Sequence, residues 1–467
     1  MRSLELDSAE LEDLTSEVVQ AVRRWIDELD LRHIAPSSSG PQLLDLFGGG
    51  IPEAGLGHDA LALLPALLEH SRAQNGRFFG YVLGSAEPVA ALGDFLASAL
   101  NQNVTSWRSG PAAATIERAL VDHLARELGC DGFSGSFCGG GSSANLMGLA
   151  MARESKCAAN EIGARPAVVY ASSEVHMSIP KAVALLGLGR ENLRLVSVDD
   201  RCKLRADLLR EAIAEDLRAG KQPIAVVASA GTVNTGAIDP LGEIASIARE
   251  HELHLHVDGA YGGLAALADP ARIGLLGVAE TISFDLHKWL YQPVDCGLLL
   301  FRDRDLARRT FSYTDDYVTA FADDPLEAFA FFEESLELSR RFRALKAWLS
   351  LLYHGMGAYR ASIGEDLELA QQLARKIQEH AELELLAPVE LSVVCFRARG
   401  DHGVNVDELN RSILTTLNRR GRVYISNASI NGSFALRACL TNHRTSSGDL
   451  DVLVDEVLSA AASLTAD

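Results

Sequence analysis

The feature that most constrains the fold of this 467-residue chain is an alternation of short apolar runs with helical stretches between residues 167 and 301. The runs include AVVYAS, IAVVASAG and TISFD, and they are rich in Val, Ile and Ala or Leu. Helical sequences such as LGEIASIAREH separate them. Strands that are buried on both faces read as continuous apolar runs, and helical connections join parallel strands. The pattern therefore predicts an α/β fold with a mainly parallel sheet covered by helices on both faces.

The regions on either side of this alternation have different patterns. Residues 8–30 carry apolar side chains at helical spacing, and a segment rich in Pro, Gly and Ser follows them. After residue 361, a long helical pattern, two strands and a closing helix predict a smaller α+β domain. We therefore predict an N-terminal helical arm and loop (1–75), a large domain (76–360) and a small C-terminal domain (361–467).

The composition argues against several classes of partner. The chain has 43 basic and 63 acidic residues, for a net charge of −20, and this field repels nucleic acids and anionic lipids. No run approaches the roughly 18 apolar residues that a membrane span needs. The seven cysteines form no CxxC pair, and the acidic N-terminus lacks the apolar segment of a signal peptide. We expect a cytoplasmic protein that binds neither nucleic acid nor membranes.

A glycine-rich stretch, SGSFCGGGSSANLMGLAMAR, predicts a phosphate-binding site. Its glycines precede Ser142 and Ser143 at the start of a helical pattern. Free backbone N–H groups at a helix N-terminus bind phosphate, and the two hydroxyls would add donors. Taken alone, the stretch is equally consistent with a plain glycine-rich turn. It is not a Walker loop, because no Lys-Ser/Thr pair follows at the required spacing.

Polar residues follow three of the predicted strands, at the edge where ligands of parallel α/β sheets collect. Asp258 ends the run LHLHVD, Thr232 follows IAVVASAG, and Lys288 comes three residues after TISFD. A buried carboxylate such as that of Asp258 needs a cationic partner.

Three histidines near Asp258 offer a second interpretation. Alternation along the strand puts His254, His256 and Asp258 on one face. A metal site that includes these two histidines and His251 is an alternative, but half-buried strand histidines are commoner than zinc ligands at this spacing. We therefore expect no metal.

One cofactor would use all of these groups. Pyridoxal phosphate has a phosphate, a ring nitrogen that must stay protonated, a phenolic oxygen and an aldehyde that forms a Schiff base with lysine. Asp258 would keep the ring nitrogen protonated, and Lys288 would form the Schiff base. A Rossmann dehydrogenase is the competing class, but no GxGxxG follows a strand, and that class leaves Lys288 unexplained.

Four stretches occur in order along the chain: GGGSSANLMGLAMAR, SSEVHMSIPKA, HVDGAYGG and FDLHKW. Together they resemble the group II pyridoxal-phosphate decarboxylases, the family of aromatic-amino-acid, histidine, glutamate and diaminobutyrate decarboxylases. The similarity covers residues 75–445. The resemblance implies fold type I, the aspartate-aminotransferase architecture, and a homodimer with its active sites at the interface.

The resemblance also implies roles for individual residues. His176 matches the histidine that stacks on the pyridine ring, and Ala260 matches the residue that packs on the opposite face. Thr232 matches a residue beside the phenolic oxygen. The remaining matches to cofactor contacts are Gly141, Ser142 and His287 at the phosphate, with Asp285 standing where the aromatic branch often has asparagine.

A lysine, a carboxylate and a phosphate site would serve a transaminase equally well, so the acid that protonates the carbanion matters. In the family this acid is a tyrosine on a mobile loop, and the polar stretch RRTFSYTDDYVTAFADDP could be such a loop. Tyr317 lies 29 residues after Lys288, which matches the spacing of the aromatic decarboxylases' acid. Tyr313 is the alternative, and we favour Tyr317.

The resemblance assigns the wall of the substrate pocket to Tyr81, Val82, Asn103 and Thr105. The last three replace larger apolar or aromatic groups, so we expect a roomier or more polar pocket. We expect decarboxylation of an L-amino acid to its amine, with an aromatic side chain first and an aliphatic or acidic one open. The alternatives are an aldehyde synthase or aminotransferase with the same cofactor, and a non-catalytic dimeric scaffold.

Overall fold

In the computed structural model, which describes residues 4–313, 324–400 and 404–465, the strands form two sheets. The strands are β1 Ser134–Cys138, β2 Val168–Ser172, β3 Leu193–Val196, β4 Pro223–Ser229, β5 His254–Asp258, β6 Thr281–Asp285, β7 Gly297–Phe301, β8 Leu383–Leu385, β9 Val393–Ala398, β10 Ser426–Ile430 and β11 Ser433–Cys439. The helices are α1 Ser8–Asp27, α2 Gly40–Phe47, α3 Leu64–Glu69, α4 Pro88–Leu100, α5 Pro111–Glu127, α6 Gly141–Cys157, α7 Ala159–Ile162, α8 Ser178–Leu185, α9 Ala206–Arg218, α10 Leu241–Glu250, α11 Pro270–Ile273, α12 Leu286–Trp289, α13 Arg304–Phe311, α14 Ala344–Glu379, α15 Val406–Arg420 and α16 Ser447–Thr465. Within the described ranges, no helix combines the length and hydropathy that a membrane span requires.

The larger sheet has seven strands in the order β1-β7-β6-β5-β4-β2-β3. Neighbours from β6 to β3 are parallel, whereas β7 runs antiparallel to both β1 and β6. Both faces are covered, as the apolar runs predict. Val226 of β4 packs in a core with α5, α9 and α10, while the next residue, Val227, packs with α6 and α8. The predicted α/β class is confirmed.

This topology gathers several strand ends at one edge. The carboxyl ends of β2, β4, β5 and β6 share it because these strands are parallel. Strand β1 has the same direction as β6, since each is antiparallel to β7. The glycines that follow β1 and open α6 therefore lie at the same edge as the residues that follow β5 and β6.

The smaller sheet is antiparallel, in the order β10-β11-β9-β8, and the C-terminal half of α14 packs on it with α15 and α16. Phe79 also belongs to this core, although it precedes these elements by some 300 residues in the chain. Gly355, with φ of +78°, breaks the helical geometry inside α14. The predicted boundary at residue 360 falls within α14, and the domain division stays a prediction.

The N-terminal helix α1 begins as its sequence predicts. The Asp7 side chain accepts hydrogen bonds from the backbone N–H groups of Ala9 and Glu10, and the Glu10 side chain accepts one from Asp7 N. This reciprocal capping box satisfies N–H groups that have no partner within the helix.

Candidate active site

A cavity of about 200 Å³ opens at the edge where the parallel strands end. Every residue that the family resemblance assigns to the cofactor lines it, whereas Ser143, the second hydroxyl of the glycine-rich stretch, does not. Their roles stay predictions, but the structure brings all of them to one place. The lining residues are Gly139, Gly140, Gly141, Ser142, Asn145, His176, Ser229, Gly231, Thr232, Val233, Asp258, Ala260, Tyr261, Asp285, His287, Lys288 and Val294.

Asp258, the last residue of β5, is a buried carboxylate with three hydrogen-bond donors. Its Oδ2 accepts from Asn145 Nδ2 at 3.0 Å. Its Oδ1 accepts from the backbone N–H of Ala260 and from Ser283 Oγ, each at 3.2 Å. Hydrogen bonds to a carboxylate favour its charged form, so this arrangement holds a negative charge facing the cavity.

Lys288 lies in the short helix α12, directly after β6. Its Nζ is 2.9 Å from Asp285 Oδ2, and His287 Nε2 is 3.6 Å from the same oxygen. Burial lowers the pKa of His287, and the positive charge of Lys288 lowers it further, against the opposing effect of Asp285. In the described part of the chain, the buried Asp285 Oδ1 has no hydrogen-bond partner. One oxygen of this carboxylate is therefore free to meet a ligand.

The glycines after β1 form a cradle that side chains would fill. A Cβ atom on Gly141 would lie 2.7 Å from the Ala260 Cβ and 2.9 Å from Asp285 Oδ2. Gly140 has φ of +115°, a conformation that residues with a side chain rarely adopt. The first N–H groups of the 17-residue helix α6 are thus accessible from the cavity, where they can bind an anion.

His176 and Thr232 lie on the remaining walls. His176 Nδ1 is 2.8 Å from Ser178 Oγ, and burial lowers the pKa of the imidazole, so the ring is neutral at pH 7. The Thr232 hydroxyl is 3.0 Å from that of Thr235.

The donor set fits pyridoxal phosphate. The glycine cradle and helix N-terminus suit its phosphate, the anionic Asp258 suits a protonated ring nitrogen, and Lys288 Nζ suits its aldehyde. Neutral His176 offers a flat face for the ring. The part of the chain that the structure describes contains no cluster of three or more His, Cys, Asp or Glu side chains able to hold a metal ion.

The residues predicted to bind the substrate do not line this cavity in the single chain. Tyr81 is half exposed and its hydroxyl is 2.9 Å from that of Tyr424, while Val82 packs against the main core. Asn103 Oδ1 accepts a hydrogen bond from the backbone N–H of Arg340 at 2.8 Å. Their substrate contacts, and that of Thr105, stay predictions.

The structure describes only one of the two candidate proton donors. Tyr317 lies outside the described residues, so its role also stays a prediction. Tyr313, the alternative, is largely exposed and does not line the cavity.

Three polar residues around the site have no role in the sequence analysis. They are Asn145 and Ser283, which donate to Asp258, and Ser178, which contacts His176. A signal for Asn145 was present, because it stands four residues after Gly141 and so shares a face of α6 with it.

The chain is similar along most of its length to proteins of known activity. The pyridoxal-dependent decarboxylase conserved domain matches residues 55–399. Aromatic-L-amino-acid decarboxylase of Bacillus atrophaeus is 31% identical over 459 residues, which cover 96% of this chain and 95% of that protein. 4-Hydroxyphenylacetaldehyde synthase of Rhodiola rosea is 28% identical over 98% of this chain and 96% of its own length. The crystal structure of Oryza sativa TDC with PLP and tryptamine superimposes with a TM-score of 0.93 at 25% identity, covering 99% of this chain and 100% of that one.

Proposed function

Because the chain belongs to the pyridoxal-dependent decarboxylase family and is a pyridoxal-phosphate-dependent amino-acid decarboxylase, we propose that it converts an aromatic L-amino acid to its amine and CO2. The observation that carries the choice of substrate is the match to an aromatic-L-amino-acid decarboxylase along nearly the whole of both chains.

The cofactor, when bound, supplies an aldehyde that binds the substrate amine and a ring that accepts electrons from the breaking bond. The residues of the cavity divide the remaining tasks. Lys288 is the amine that would hold the aldehyde covalently. Asp258 would hold a proton at the ring nitrogen, because its charge faces the cavity. The backbone N–H groups that open α6, with the Ser142 hydroxyl, would bind the phosphate.

His176 would pack on the ring and keep water from one face of it. A neutral imidazole suits this position better than a charged one, since an imidazolium beside a protonated ring would be repelled. Burial, which lowers the pKa of His176, keeps its imidazole uncharged at pH 7.

We propose Tyr317 as the acid that protonates Cα after CO2 leaves. In the resembling family, tyrosine at the matching position goes with clean decarboxylation and phenylalanine with aldehyde synthases. In air, Tyr317→Phe should shift the product from amine toward aldehyde, ammonia and hydrogen peroxide, with O2 consumed as the oxidant, while CO2 release continues. Tyr313→Phe is the matched control. If Tyr317→Phe makes amine at the parental rate and Tyr313→Phe does not, Tyr313 is the acid.

An aldehyde synthase is the second candidate function. Relatives with such names include the 4-hydroxyphenylacetaldehyde synthase of Rhodiola rosea and the phenylacetaldehyde synthase of Petunia hybrida, the latter 30% identical over 78% of this chain. The experiment is to incubate the purified holoenzyme with each of the twenty amino acids and to measure CO2, amine, aldehyde and ammonia together. Amine in equal amount to CO2 from an aromatic substrate supports the proposal. Aldehyde with ammonia favours the second candidate, and amine from an aliphatic or acidic substrate overturns the aromatic choice.

We also propose a homodimer. Support comes from an apolar groove between α1 and α4, where Val18, Val22 and Ile26 face Leu92 and Phe95 and all five side chains are at least 39% exposed. Apolar surface of this kind is typical of protein interfaces. Analytical ultracentrifugation should give twice the chain mass, and Val22→Glu with Phe95→Glu should shift it toward one chain. A monomeric wild type would contradict the proposal.

A cytoplasmic location is proposed on the state of the cysteines. All seven are free and buried, and an oxidising compartment usually selects for disulfides. Fractionation of cells that make the protein tests this location.

A further inference from the structure

A chain of hydrogen bonds runs behind Asp258, away from the cavity. Asn145 Nδ2 donates to Asp258 Oδ2 at 3.0 Å, and Asn145 Oδ1 is 2.9 Å from His256 Nε2. His256 Nδ1 is 2.9 Å from Thr281 Oγ1, which is in turn 2.9 Å from His254 Nε2. These four side chains thus link the carboxylate at the end of β5 to His254 at the start of the same strand.

The chemistry of the groups fixes which atom donates and which accepts in each of these hydrogen bonds. An ionised Asp258 can only accept, so Asn145 turns its amide nitrogen toward it and its oxygen toward His256. His256 then carries its proton on Nε2, and its Nδ1 accepts from the Thr281 hydroxyl. The lone pairs of Thr281 are left for His254, which donates from Nε2. All donors point toward the carboxylate, and bonds aligned in this way polarise one another.

The surroundings are shaped to hold these side chains. Asn145, His256, Thr281 and His254 are each at least 97% buried. A Cβ atom on Gly148, in the middle of α6, would lie 2.5 Å from the His256 ring. Glycine inside a helix is less favourable than alanine, so its presence there makes room for the ring at the expense of helix stability.

Both histidines are neutral, as the bond directions require. Burial lowers the pKa of His254 to about 3, with smaller contributions from the adjacent ring of His256 and from Lys156. Burial also lowers the pKa of His256 to about 4, against the opposing effect of Asp258. Neutral rings can each donate from one nitrogen and accept at the other.

A branch of the same network reaches His176. Asn145 Nδ2 also donates to Ser178 Oγ at 2.9 Å, and Ser178 Oγ is 2.8 Å from His176 Nδ1. The backbone N–H of Ser178 points at Nδ1 as well, at 3.3 Å. Since Nδ1 accepts, the proton of the neutral imidazole is on Nε2. One amide group therefore orients both the carboxylate and the imidazole that face the cavity.

We propose that Asn145, His256 and Thr281 are positioning residues for the reaction, which hold the Asp258 carboxylate oriented toward the cavity and hold His176 in its Nε2-protonated form. The inference rests on the proposed role of Asp258 as the partner of the ring nitrogen. A weaker carboxylate would hold the proton on that nitrogen less firmly, which lowers the rate of CO2 loss without changing how the substrate is recognised.

The test compares Thr281→Val, which removes the hydroxyl at nearly constant shape, with Thr281→Ser, which keeps the hydroxyl, and Ile282→Val, a control of similar size on the same strand. His256→Phe breaks the network at a second point in case Thr281→Val does not fold. Each variant, as holoenzyme, is measured for kcat, KM and the pH dependence of the visible absorption band of the bound cofactor. Cofactor affinity is obtained from absorbance titration of the apoenzyme.

We expect Thr281→Val and His256→Phe to lose roughly tenfold in kcat with KM within about twofold, as is common when residues behind a reactive group are removed. The pH midpoint of the absorption band should move up by about one unit, since a ring nitrogen that is protonated less withdraws less charge from the Schiff-base nitrogen, which then holds its proton more tightly. Thr281→Ser and Ile282→Val should match the wild type in kcat and in the pH midpoint of the absorption band.

Two results would separate the inference from its premise. If Asp258→Asn abolishes activity while Thr281→Val and His256→Phe behave like Ile282→Val, the network has no positioning role and the role of Asp258 stands. If Asp258→Asn itself leaves kcat and the absorption band unchanged, Asp258 is not the partner of the ring nitrogen and the premise fails.

Discussion

The ends of β5 and β6 lie side by side, and each carries an aspartate, but the two carboxylates are held in opposite ways. Asp258, at the end of β5, has donors on both oxygens and a network of neutral side chains behind it. Asp285, at the end of β6, pairs one oxygen with Lys288 and leaves the other without a partner among the described residues.

The difference separates a group that is already organised from one that is incomplete. Every lone-pair direction that Asp258 uses is fixed by the protein, so its charge needs no rearrangement to meet a ligand. Asp285 is buried with an unsatisfied oxygen, which is costly, and its partner lysine is the residue expected to bind the cofactor. Strand position alone therefore does not determine the role of a carboxylate. Its donors do.

The largest expected effect comes from neutralising the organised carboxylate. Asp258→Asn should lower kcat by roughly 1,000-fold, because preorganised charge beside the reacting system contributes several kcal/mol. The matched control is Asp239→Asn, another buried aspartate, which accepts from the backbone N–H groups of Ser229 and Leu204 and does not line the cavity. Near-parental turnover in Asp258→Asn would remove the distinction between the two strand ends.

Acid should destabilise the β5 side through its two neutral histidines. Folding lowers the pKa of His254 to about 3 and that of His256 to about 4 from 6.5, so below pH 6.5 the unfolded chain binds more protons than the folded one. Their contribution to stability is complete above pH 6.5 and is lost as the pH falls toward 4, at up to about 1.4 kcal/mol per pH unit for each ring.

Urea unfolding at pH 7.5, 5.5 and 4.5 measures this slope. His256→Phe should show a shallower fall in the free energy of unfolding between pH 6.5 and 4 than the wild type. An identical slope would mean that His256 is charged in the folded protein, and the fixed bond directions behind Asp258 would be wrong.

Asp285→Asn tests the incomplete carboxylate. The Asp285 side chain lies beside Gly140 and Gly141, where the phosphate of the cofactor would bind, so its negative charge opposes that of the ligand. Replacing it by an amide should tighten cofactor binding by about tenfold, by the same Coulomb argument at a partly screened site. Absorbance titration of the apoenzyme measures the change. Asp285→Leu, which removes the charge but offers no hydrogen-bond donor, should tighten cofactor binding less. Weaker cofactor binding in Asp285→Asn than in the wild type would show that the ion pair with Lys288 matters more than the repulsion of the phosphate.

The smallest effect should come from removing a single donor. Ser283→Ala takes one of the three hydrogen bonds from Asp258, which is worth about 1 kcal/mol, or about fivefold in kcat. Ser136→Ala is the control, since Ser136 is also a buried strand serine but its hydroxyl has no partner among the described residues. If both variants lose equally, the effect belongs to strand packing and not to Asp258.

The sequence predicted the features that depend on residues close together along the chain. Buried strands read as apolar runs, and a polar residue at the end of such a run, as with Asp258, stands out because it interrupts the pattern. The position of Lys288 after TISFD was visible for the same reason. The α/β class followed from the alternation, and α1 from helical spacing.

What the sequence could not predict depends on which elements meet in space. Asn145 reaches His256 across 111 residues, and only the placement of α6 over β5 and β6 brings them together. The spacing of Gly141, Asn145 and Gly148 marks one helix face, but periodicity says nothing of what that face covers. The run GLLLF predicts a buried strand without giving its direction, because parallel and antiparallel strands that are buried on both faces read alike.

The antiparallel strand β7 has a consequence for the order in which the chain acquires its site during synthesis. Because β7 lies between β1 and β6, the sheet does not join β1, which leads into the glycine cradle, to β6, which leads into Lys288, until residues 297–301 have left the ribosome. Gly297 packs against Gly140 so closely that a Cβ atom there would lie 2.4 Å from the Gly140 Cα. A nascent chain that ends before this strand therefore has the lysine and the cradle without the strand that joins β1 to β6, and we expect its cofactor site to be complete only after β7 inserts.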